Sequence, residues 1–105
     1  MRDIMKILQQ AQEMQGKMQK MQEELQAMTL TGTAGGGMVT VDVNGQGTIK
    51  RVKIDPSVVN PSDTEMLEDL IAVAVAEAQR KAQERQQEQM GAIAGGMNLP
   101  FKLPF

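Results

Sequence analysis

The chain has 105 residues, a net charge of −2, no cysteine, no histidine and two aromatic residues. These absences exclude a disulfide framework, a cysteine-type zinc site, a thiol nucleophile, and the commonest general base and metal ligand. With no Trp or Tyr, and with Phe101 and Phe105 both at the far C-terminus, a single domain of this size has a thin core, which points to a second subunit.

Residues 1–29 read as a long helix with a strict seam. Ile4, Ile7, Ala11, Met14, Met18, Met21, Leu25 and Met28 recur in steps of three and four, the a/d pattern of a coiled-coil face. Glutamines fill the positions between them, and they are good uncharged helix formers. Such a helix is about 40 Å long and calls for a partner helix beyond what so small a chain supplies. Gly16 falls at an outward position.

Residues 30–55 read as a small antiparallel sheet of about three strands. Val39, Val41 and Val43 point one way, with Thr40 and Asp42 opposite. Asn44-Gly45 opens the loop "NGQG", the strongest short hairpin signal. The return strand over Thr48–Ile54 puts Val52 and Ile54 on one face and Arg51 and Lys53 on the other. Thr29–Thr33 supplies a third strand, and Asp55-Pro56 ends the return strand. "GTAGGGM" is glycine-rich but lacks the Lys-Ser/Thr of a phosphate loop, so it reads as a turn between strands.

Residues 62–90 read as a second long helix. Ser62 and Glu65 fit a capping box, and Asp63, Glu65, Glu68 and Asp69 crowd its positive end. Met66–Ala78 is apolar and alanine-rich, with Leu70 and Ile71 as candidates for the core or a dimer seam. "QRKAQERQQEQM" is polar and is expected to face solvent or a polar partner, with Gly91 as the stop. The tail, 91–105, is expected to be irregular and to dock through Met97, Leu99, Phe101 and Phe105. The whole is expected to be one domain.

The methionines invite a thioether metal site, but Met14, Met18, Met21 and Met28 share the register of Ile4, Ile7 and Leu25, which a metal does not require. They are read as a packing seam, with no metal and no cofactor. A membrane-surface helix would carry a basic face, and this one is glutamine-rich with balanced charge. The longest apolar run, "LIAVAVA", is too short to span a bilayer, and the N-terminus has no signal-peptide core. Nothing pairs a nucleophile with an activating base, so no enzyme and no small-molecule substrate are expected. The remaining candidates are cations: Lys6, Lys17 and Lys20 on the first helix, and Arg80, Lys81 and Arg85 on the second. They read either as solvated helix faces or as phosphate contacts.

The blocks "QAQEMQGKMQKMQEEL", "VDVNGQGTIKRVKIDPSVV", "EMLEDLIAVAVAEAQRKAQE" and "GGMNLP" together resemble the YbaB/EbfC family of bacterial nucleoid-associated proteins, over nearly the whole chain. The resemblance implies a helix–sheet–helix protomer, a tweezer-like homodimer and binding to double-stranded DNA. It also implies a place in the cytoplasm at the nucleoid and an influence on gene expression. The family's contacts through its long helices map here onto Lys17, Lys20, Arg80, Lys81 and Arg85, with Lys6 added by its position on the same helix. The competing reading is a prefoldin-like chaperone or adaptor, in which a Met-lined groove accepts apolar partners.

Overall fold

The computed structural model describes the backbone of residues 2–96 and the side chains of residues 3–93. The tail residues expected to dock, Met97, Leu99, Phe101 and Phe105, lie outside the described residues. As the sequence predicts, the fold is α+β, with two long helices flanking a three-stranded antiparallel sheet. The elements are α1 (Arg2–Ala27), β1 (Leu30–Ala34), β2 (Val39–Val43), β3 (Ile49–Ile54) and α2 (Thr64–Gly96).

The sheet order is β1-β2-β3, so β2 is central. Register places Gly32 and Ala34 opposite Val41 and Val39, and Val52 and Ile54 opposite the same two valines. These residues share one face. Val39, Val41 and Val43 are fully buried there beneath Ala74, Ala78 and Ala82 of α2. Alanine at every fourth position gives α2 a smooth stripe that lets its backbone approach the sheet closely. Leu70 and Ile71 are half-buried against the edge of this core. The other face carries Thr31, Thr33, Thr40, Asp42, Arg51 and Lys53, and it is polar.

The Gly-rich segment after β1 is a 3-10 turn over Gly35–Gly37, with φ of 62°, 66° and 97°. Side chains rarely adopt these values, which explains the glycine run. At the Asn-Gly hairpin the Asn44 Oδ1 accepts from the Gln46 and Thr48 amides at 2.9 and 3.0 Å. The side chain thus takes the place of missing ladder partners and is itself buried.

The two sides of this hairpin tip hold the helices. The Gly45 amide donates to the Leu25 carbonyl at 2.7 Å, satisfying an end carbonyl of α1. Gln86 Nε2 donates to the Gly45 carbonyl at 2.9 Å, and Gln79 Nε2 to that of Gly47 at 3.2 Å. Part of the polar half of α2 therefore faces the chain's own hairpin.

Three expectations are corrected. α2 starts one residue after Asp63, whose carboxylate accepts from the Met66 amide at 3.3 Å, so Asp63 and not Ser62 is the cap. Ser62 instead donates its amide to Asn60 Oδ1. α2 also runs through Gly91 to Gly96, because a single glycine costs only about 1 kcal/mol in a long helix. Finally, the seam of α1 is partly covered within the chain: Met21 and Leu25 are buried, and Met18, Met21 and Leu25 line one cleft with Gln86 and Met90 of α2. Only its N-terminal end is bare, with Ile4 60% and Ile7 62% exposed.

Candidate nucleic-acid interface

The first group of cations lies on α1. Lys6, Lys17 and Lys20 are exposed and flank the seam rather than occupying it. Among the described residues none of them makes an ion pair. Met14 and Met18 beside them are half-buried, and Met28 is half-buried at the end of the helix.

The second group, on α2, is electrically different. Arg80 pairs with Glu84 at 2.6 Å, and Arg85 with Glu88 at 3.2 Å. Lys81 pairs with Glu77 at 3.4 Å and donates to the Thr31 carbonyl at 2.7 Å. Glu77 in turn accepts from the Thr33 amide at 3.4 Å. Lys81 and Glu77 therefore occupy the outer edge of β1, where ladder partners are lacking. Arg80 and Arg85 remain more than half exposed, and their pairs are of the weak surface kind that a phosphate can displace. A shallow groove runs past Leu30, Lys81, Glu84, Arg85 and Glu88. The α1 cations are no part of it, so the six residues do not form one patch.

Sequence reasoning passed over a third group. Lys50, Arg51 and Lys53 are exposed on β3. Lys50 reaches across to the end of α1, donating to Thr29 Oγ1 at 2.9 Å and to the Met28 carbonyl at 3.4 Å. That places a positive charge at the negative end of the helix. Arg51 and Lys53 stand on the open face of the sheet. Asp42, the residue opposite Arg51, has its carboxylate taken by the Thr31 hydroxyl at 2.8 Å. The alternation in "KRVKI" separates these cations from Val52 and Ile54. It does not say which face α2 covers, and that decided their exposure.

Among the described residues no group of three or more acidic side chains is placed to hold a metal ion. No helix among them is long and apolar enough to cross a membrane.

The YbaB/EbfC DNA-binding family model matches residues 1–97. The chain belongs to that family. A nucleoid-associated protein of Gemmatimonas aurantiaca is 57% identical over 103 residues, which is 98% of this chain and 99% of that protein. A nucleoid-associated protein of Gluconacetobacter diazotrophicus is 47% identical over 105 residues, covering 100% and 98%. An uncharacterized protein of Helicobacter pylori shares the fold, with a TM-score of 0.74 at 24% identity over 81% of this chain and 89% of that one. The family is one of nucleoid-associated DNA-binding proteins, not of enzymes.

Proposed function

We propose that the protein binds double-stranded DNA as a homodimer, gripping phosphates with cations on its helices. On this reading it works in the cytoplasm at the nucleoid, in chromosome organisation and gene regulation. Family membership supports the DNA partner. The observation that carries the mode of contact is the row of exposed, unpaired Lys6, Lys17 and Lys20 on a helix that runs beyond the sheet. Arg80 and Arg85 add charges that become available once Glu84 and Glu88 are displaced. Lys81 contributes least, because it also holds β1.

The homodimer is supported by the asymmetry of the sheet. The β1 edge is closed by Glu77 and Lys81, while β3 forms the other edge with Ile49 and Val52 both exposed. A second β3 laid against it about a two-fold axis would satisfy the edge and bury those side chains. A tweezer would follow from helices diverging on either side of that joint.

The test is fluorescence anisotropy on a labelled duplex of about 30 base pairs across a salt series, with random duplex as competitor. Log-linear weakening with salt is the expected result. The exposed apolar end of α1, with Ile4, Met5, Ile7 and Leu8, favours a second reading as a prefoldin-like chaperone or adaptor. Absence of binding at low salt, with the dimer intact, would select it.

A further inference from the structure

The bare end of the α1 seam and the end of α2 point at each other. Gln86 is tied through Gly45 to Leu25, while Met90 lines a cleft with Met18 and Met21. As α2 advances, α1 is therefore traversed backwards, and the two helices run antiparallel here. From Met90 to Gly96, α2 adds about 9 Å, which brings its end level with the Ala11–Met14 turn. Beyond that turn Ile7 and Ile4 lie exposed on the same register.

The chain continues for residues 97–105, "MNLPFKLPF". Extended, this segment reaches up to about 30 Å, and Ala11 to Ile4 spans only about 10 Å. Pro100 and Pro104 hold the residues before them in extended backbone. In that conformation Met97, Leu99, Phe101, Leu103 and Phe105 share a face, with Asn98 and Lys102 opposite. The segment thus presents an apolar row of the right length, starting at the right place, to a seam with no other cover among the described residues.

We propose that residues 97–105 dock on the seam of α1 in their own chain, running from the Ala11–Met14 turn toward Ile4. The segment is a strap that continues the cover begun by α2 and fixes α1 to it.

Composition supplies the test. Phe101 and Phe105 are the chain's sole aromatic residues, so any ring-current shift of a methionine methyl must come from the tail. In methyl-labelled intact protein, the ε-methyl signals of Met14 and Met18 are expected upfield. They should return to ordinary positions in the double variant Phe101→Leu, Phe105→Leu, which keeps the tail apolar. Methyl signals that are the same in both proteins would overturn the proposal. Which chain supplies the strap is read by cross-linking, because native cysteine is absent. The pair Ala11→Cys, Leu99→Cys should close a disulfide at monomer mass several-fold faster than the outward pair Gln9→Cys, Leu99→Cys. Equal rates would show a tail that is not seated, and a linked-dimer product would assign the seam to a second copy. Either result defeats the proposal. Neither readout involves DNA.

Discussion

Gly32 sits where β1 comes closest to α2. A Cβ there would lie 2.2 Å from the Ala74 carbonyl oxygen and 2.5 Å from the Ala78 amide nitrogen, both backbone atoms that cannot swing aside. Gly32→Ala should therefore destabilise the protein by about 3 kcal/mol or more, read from urea unfolding at fixed protein concentration. Gly16 is the opposite case: a Cβ there meets nothing within 4 Å, and its helical position is outward. Gly16→Ala should stabilise by up to about 1 kcal/mol in the same assay. Composition cannot tell the two glycines apart. The heptad register does identify Gly16 as outward, but Gly32 depends on the path of a helix more than forty positions later in the chain. At Asp55 the carboxylate accepts from the Ser57 amide at 2.8 Å and from its hydroxyl, and these bonds hold its pKa below the usual aspartate range. The sign follows directly. A depressed pKa means stability that is fully present above the unfolded-state value and lost as pH falls through the folded one. Carbon-detected titration should find Asp55 losing its charge at lower pH than an ordinary aspartate. Asp55→Ala should remove its share of the acid-side loss of stability.

At the level of elements, α2 works as a clamp with different grips along its length. The alanine stripe seats it on β2, Glu77 and Lys81 close the edge of β1, and Gln79 and Gln86 hold the hairpin tip. Replacing Glu77 with Ala should leave the Thr33 amide without its acceptor. Hydrogen exchange at Thr33 should then quicken several-fold, as expected for a net hydrogen bond of about 1 kcal/mol, while exchange at Val41 stays protected. Much of this element plan was legible. The valine alternation, the Asn-Gly loop and the α1 heptad are local signals, and local signals survive into the fold. The intrahelical pairs were also there to be read, since Arg80 to Glu84 and Glu77 to Lys81 are spaced by four and Arg85 to Glu88 by three. The start of α2 was ambiguous because Ser62 and Asp63 are both good caps, and the backbone between Asn60 and Asp63 decided for the second. The links from α2 to the β1 edge and hairpin could not be read. They join residues far apart in sequence, and glutamine and lysine carry no mark of such a partner.

Across the whole molecule, the charges are distributed so that the two helices contribute unequally to an anionic partner. Lys6, Lys17 and Lys20 stand free on α1, whereas each candidate on α2 has a carboxylate of its own helix beside it. A phosphate arriving at Arg80 or Arg85 must compete with Glu84 or Glu88, so part of its attraction is already spent within the helix. One arriving at Lys17 has no such competitor among the described residues. The comparison is between Lys6→Gln, Lys17→Gln, Lys20→Gln and Arg80→Gln, Arg85→Gln. Both variants replace exposed groups and should leave the fold and any dimer unchanged, which sedimentation verifies. In the anisotropy salt series, each lost phosphate contact lowers the slope of log K against log salt by about 0.9. The α1 variant should show the larger fall in slope, and it should lose affinity at low salt by more than its one extra charge explains. A larger fall for the α2 variant would mean that Glu84 and Glu88 are fully displaced in the complex. It would make α2, not α1, the arm that carries the duplex. If neither variant changes the slope, the contacts move to the third group, and Arg51 and Lys53 on the open face of the sheet become the residues to replace.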